Sequence, residues 1–133
     1  MKKVILIIGI LVGSACFWQS CTKDDSILID GDSRESFVSA WTAVDQCSKQ
    51  TYGVDIKIDE SNSTQVIIVN FANLGRPATG IIAGNNIYVE KQNIGNGYSA
   101  EGNGKLNGSV ITWLSYNYET ESELVECTAT YSK

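Results

Sequence analysis

The sequence predicts an all-β protein, a single small antiparallel barrel of about eight strands in up-and-down order, with a β-sandwich as the alternative. Three observations carry that expectation. From Phe37 onward apolar residues recur with period two, and no stretch carries the 3.6-residue period of a helix. Turn-forming Gly, Asn, Asp and Pro residues interrupt the pattern at roughly 10-to-12-residue spacing. Finally, Cys47 and Cys127 stand at the end of the first predicted strand and inside the last. Bonding them sets those two strands side by side, which is how a meander closes on itself and loses its exposed edges.

The first strand runs up to Cys47 and sets Trp41, Ala43, Asp45 and Cys47 on one face. Next, Tyr52, Val54, Ile56 and Ile58 alternate with Gly53, Asp55, Lys57 and Asp59, one apolar face against one wet face. Residues 64–71 are β-branched almost throughout and follow a turn cluster at 59–63, so they pair back as a hairpin. Residues 78–83 begin after the only proline, Pro77, and end at Gly84-Asn85-Asn86, a tight turn into 87–92. Residues 98–106 are punctuated by Gly102 and Gly104. No Lys-Ser/Thr pair closes this stretch and no helix follows it, so a phosphate loop is a poor reading and bends at a barrel corner a better one. Residues 110–118 and 123–131 form the last hairpin. The expected interior holds Trp41, Ala43, Asp45, Cys47, Tyr52, Val54, Ile56, Ile58, Val66, Ile68, Leu114, Tyr116, Val125, Cys127, Ala129 and Tyr131. Ile67, Val69, Phe71, Ile111 and Trp113 are expected outside, where they could form an apolar contact patch.

The N-terminus has a different logic. Lys2 and Lys3 lead into the apolar run 4–12, then small residues, then Ser20-Cys21-Thr22-Lys23-Asp24-Asp25. This is the order of a secretory signal peptide cut before a cysteine that receives acyl chains. The apolar run is about half of the ~20 residues that a membrane-spanning helix needs. Cleavage before Cys21, rather than Cys16, removes Phe17 and Trp18 and leaves a hydrophilic start. The expected organisation is therefore a signal peptide at 1–20, an acidic tether at 21–35 and a barrel domain at 36–133.

Composition narrows the chemistry. Taking 20 residues from 133 leaves 113, enough for one domain with its own core. Loss of Lys2 and Lys3 leaves 8 basic residues against 15 acidic, a net charge of −7. Nucleic acid is a poor partner for such a surface. The chain has no histidine and its one methionine is the first residue, which excludes most zinc, haem and Ser-His-Asp chemistry. No carboxylate pair stands out for hydrolysis, so no enzyme, metal or cofactor is expected. With Cys16 removed and Cys21 acylated, Cys47 and Cys127 remain as an even pair in an oxidising compartment and are expected to form a disulfide.

Ser20-Cys21-Thr22-Lys23-Asp24-Asp25 resembles the Ser-Cys-x-Lys-Asp-Asp junction of Bacteroidota-type lipoproteins, which implies an outer-membrane lipoprotein displayed on the cell surface. Asp25-Ser26-Ile27 resembles their O-glycosylation sites, which points to Ser26. Phe37-x-x-x-Trp41, Asp45-x-Cys47, Asn70-Phe71-x-Asn73-x-Gly75, Gln92, Gly102-x-Gly104 and Cys127-x-Ala129-x-Tyr131 are similar to a pattern in small Bacteroidota lipoproteins with lipocalin-like barrels. Ser39 stands where the lipocalin Gly-x-Trp motif has its glycine.

Two functions are consistent with these residues. In the first, a non-catalytic binding protein holds a small apolar or amphipathic ligand in the barrel, with Trp41, Tyr52, Tyr116 and Tyr131 stacking on it and Asp45 fixing a polar group. In the second, the barrel's outer surface binds a protein or glycan partner.

Overall fold

The computed structural model describes residues 31–133. The signal peptide, acylation at Cys21 and glycosylation at Ser26 all lie outside the described residues. A 3-10 turn at Ser33–Ser36 precedes β1 (Ser39–Asp45), β2 (Thr51–Ile58) and β3 (Gln65–Val69). A second 3-10 turn, Phe71–Asn73, leads to β4 (Ala78–Ala83), β5 (Asn86–Gly95), β6 (Tyr98–Asn107) and β7 (Val110–Glu119). The chain ends with β8 (Leu124–Val125) and β9 (Ala129–Ser132).

Every pairing is antiparallel, and β1 to β7 pair in sequence. β9 then lies between β7 and β1, which closes the sheet. β8 and β9 are two pieces of one path along β7, since Val125 opposes Tyr118 and Ala129 opposes Trp113. The result is a closed eight-stranded barrel rather than a sandwich.

The disulfide joins Cys47 to Cys127, with Cα atoms 5.8 Å apart. It fastens the turn after β1 to the gap between β8 and β9. Cys47 is exposed rather than inside, because β1 ends at Asp45 and its alternation ends with it.

Topology gives the barrel two distinct ends. At the base lie the start of β1, the β2–β3, β4–β5 and β6–β7 turns and the C-terminus. The mouth carries residues 46–50, 70–77, 96–97 and 120–123. The folded unit starts at Asp32, so the predicted tether gives up its last residues to the barrel. Arg34, expected in that tether, is buried: its guanidinium donates to the carbonyls of Asp59, Asn62 and Gln65 at 2.7–3.1 Å and pairs with Asp32.

The interior is filled. Trp41, Trp113, Tyr116, Tyr131, Phe37 and Phe71 are each at most 2% exposed. Trp113 and Ile111 are inside and Leu114 is 65% exposed, the reverse of the expectation. A β-bulge is the reason: Asn103 opposes Ser115 but Gly104 opposes Trp113, so Leu114 is the extra residue and parity flips across it. Phe71 is also inside, because Asn70 adopts φ +67 and turns the chain out of the β3 alternation. Ile67 and Val69 keep their outward face, half-buried, while Ile58 and Val125, expected inside, are also only half-buried. The predicted patch thus loses Phe71, Ile111 and Trp113.

Gly102 and Gly104 do something other than bend the sheet. A Cβ on Gly104 would stand 3.1 Å from the Trp113 ring, and one on Gly102 would stand 3.2 Å from it and 3.3 Å from Phe71. Their bare backbone on β6 leaves room for the indole of the neighbouring β7.

Candidate functional site: the tyrosine-lined mouth

Among the described residues, Tyr52, Leu74, Tyr98, Tyr118 and Val125 are partly buried and packed against the core cluster. All five belong to the mouth. Beneath them Phe71 packs on Tyr116 and Trp113, with ring centroids 4.5 and 5.6 Å away, and separates the mouth from the core.

A line of phenols runs from the core to this end. Tyr131 and Tyr116 hydroxyls are 2.5 Å apart, Tyr116 and Tyr52 3.1 Å, and the Ala72 N–H donates to the Tyr116 oxygen at 2.7 Å. Their direction follows from counting protons. Tyr131 is fully buried and Tyr116 is its one partner among the described residues, so the Tyr131 proton goes to Tyr116. Tyr116 then accepts twice and donates to Tyr52. The Tyr52 proton is left over, at the half-buried end of the line. Burial is the largest cause holding all three phenols above their ordinary pKa, so they stay neutral donors through the physiological range.

Asp45 is 2% exposed. Its Oδ1 accepts the backbone N–H groups of Cys47 and Ser48 at 2.7 and 3.0 Å, which answers the cost of a buried carboxylate and shapes the turn after β1. Its charge reaches Tyr52, Tyr118 and Tyr131, where it opposes phenol ionisation. Asp45 and the sulfurs of Cys47 and Cys127 lie within 4.8 Å of one another. The disulfide occupies both sulfurs, so this trio lacks the thiolates that a metal would need.

Of the five residues expected to hold a ligand, the structure joins Tyr52, Tyr116 and Tyr131 in one hydrogen-bonded line, on which the Asp45 charge acts without a direct bond. Trp41 stands apart toward the base. Its Nε1 donates to the Phe37 carbonyl at 2.8 Å and Lys133 Nζ lies 4.5 Å from its ring centroid.

Sequence reasoning missed the outer shell of the mouth. Leu74, Tyr98, Tyr118, Thr120, Glu123 and Val125 line a depression of about 240 Å³. The Tyr98 and Tyr118 rings are 6.4 Å apart at 62°. A signal was present: in an up-and-down order, a Tyr opening one strand and a Tyr closing the next stand at the same end of the barrel. Burial is the largest cause raising the Tyr118 phenol above its ordinary pKa, followed by the charges of Asp45 and Glu123. None of the depression's lining residues is basic, and among the described residues Glu123 makes no ion pair.

Comparison with protein-family models, with curated proteins and with solved structures finds no match to this chain.

Proposed function

We propose that this is a lipid-anchored, non-catalytic binding protein of the outer cell surface that recognises its target at the barrel mouth rather than in the barrel interior. The filled core carries the reading. Six large aromatic side chains occupy the space that a carried ligand would need, whereas half-buried aromatic surface gathers at one end. That end lies opposite the point at which the described chain enters the fold. The lipid anchor at Cys21 and the surface location rest on the signal-like sequence at 1–25 and its resemblance to lipoprotein junctions.

The test has two parts. Mass spectrometry of membrane-extracted protein is expected to find an acylated N-terminal Cys21; acylation at Cys16, or a soluble secreted chain, refutes the anchor. A panel of apolar and amphipathic probes is expected to give no saturable quenching of the buried Trp41 and Trp113. Saturable quenching abolished by Ala43→Leu, which fills the interior, restores a carrier in its place.

A further inference from the structure

We infer that the depression lined by Tyr98 and Tyr118 is a binding site for an alkylammonium group. The inference rests on the reading of the mouth as the recognition end and names what is recognised there. Tyr98 and Tyr118, with ring centroids 6.4 Å apart at 62°, line the depression together with Leu74, Val125, Thr120 and Glu123. Ring faces carry negative charge density and attract a cation, most strongly one with a weakly hydrated alkyl shell. Leu74 and Val125 suit the alkyl groups, and Glu123 supplies the counter-charge.

The surrounding charges agree. Asp45 and Glu123 both act on the Tyr118 phenol, and no basic side chain is among the groups that shift it. Lys91 is paired with Glu119, and the Arg76 guanidinium stands against Gly95, outside the lining of the depression. An anion would meet the Glu123 carboxylate with no basic lining residue to offset it, and a neutral apolar group would leave Glu123 unused. Size restricts the ligand further. About 240 Å³ falls below the ~300–1,000 Å³ of a drug-sized pocket, so a single headgroup fits and a large fused-ring ligand does not. That headgroup can belong to a free alkylated amine or to a methylated lysine side chain of a protein partner, and the chemistry at the site is shared.

NMR titration of the full chain, solubilised in a maltoside detergent, with choline and with its uncharged carbon analogue 3,3-dimethylbutan-1-ol tests this. Choline is expected to bind saturably, to shift the Tyr98 and Tyr118 ring signals, and to bind at least tenfold tighter than the analogue. Glu123→Gln, at an exposed position, is expected to weaken choline several-fold without altering the fold, and Tyr118→Leu to remove binding. Tighter binding of a peptide carrying trimethyllysine than of choline assigns a protein source; equal binding assigns a free amine, and either supports the site. Equal affinity for choline and the carbon analogue, or no binding of either, overturns the cation site while the anchor and probe tests still decide the broader reading. Choline binding unaffected by both mouth variants overturns the two together.

Discussion

The two ends of this barrel are closed by opposite means. At the base, the Arg34 guanidinium donates to three carbonyls of the β2–β3 turn and pairs with Asp32, Phe37 is fully buried, and the Trp41 indole N–H has its acceptor. At the mouth, the closure is a disulfide, a buried Asp45 that shapes one turn, and a line of phenols with one proton left over. The mouth leaves tyrosines half-buried, and the proposed recognition at that end draws on this contrast.

The largest test of this contrast removes the disulfide. The Cys47→Ala, Cys127→Ala pair is expected to cost about 2–5 kcal/mol, the usual loss for a small disulfide-bonded domain. The damage should be uneven: amide exchange is expected to rise first at residues 46–50 and 124–128, with the base still protected. Uniform loss of protection would show that the two ends are one cooperative unit.

Next in size is the phenol line. Tyr116→Phe leaves the Tyr131 hydroxyl and the Ala72 N–H buried without partners, at ~1–3 kcal/mol for each stranded group. Tyr131→Phe strands nothing, because Tyr116 still accepts from Ala72 and donates to Tyr52, and about 1 kcal/mol is expected. Chemical denaturation of both variants checks the order. Equal costs would refute the proton direction assigned to the line.

pH separates the ends by sign. Tyr116 and Tyr131 have folded pKa values raised by burial, so their contribution is intact below the ordinary phenol value of about 10 and is lost as pH rises beyond it. Between the unfolded and folded values each buried phenol removes up to ~1.4 kcal/mol per pH unit. At the base, the hydrogen bond from Arg34 lowers the Asp32 pKa, so its contribution is present above the ordinary carboxylate range and is lost as pH falls through the lowered value. Asp32 lies at the surface and its share is screened by salt. Alkaline melts are therefore expected to respond to Tyr131→Phe and acid melts to Asp32→Asn, each variant leaving the other limb in place.

Closure of the barrel was legible in the sequence because it depends on period-two alternation and two cysteines, both of which act at the level of a whole strand. Val66, Ile68 and Ala43 fall where parity puts them. Trp113 and Leu114 do not, since one inserted residue inverts a face and the bulge leaves no mark on composition. Gly102 and Gly104, which leave room for the Trp113 ring, were the visible trace of that packing. Asp45 could be placed at the mouth or in a polar shell from its parity alone, but its partners are backbone amides of the next turn, which no pattern announces. Arg34 was hidden for a similar reason, because its acceptors are carbonyls 25 to 31 residues away.

The smallest effect compares two indoles. Trp41 and Trp113 are both buried and both face the interior, yet Trp41 Nε1 donates to the Phe37 carbonyl while Trp113 Nε1 is the one buried side-chain polar atom without a partner among the described residues. Replacing either with Phe removes a similar volume, so the packing loss is similar to first order. The polar terms differ. At Trp41 the change strands the Phe37 carbonyl, whereas at Trp113 it removes a donor that already bears the cost of burial without a bond. Trp113→Phe is therefore expected to cost about 1 kcal/mol less than Trp41→Phe, read as a difference in urea midpoint at unchanged slope. Equal costs would mean that Trp113 Nε1 finds an acceptor in solution, such as an internal water, and that the core between Gly102, Gly104 and Tyr131 is wetter than its aromatic packing implies.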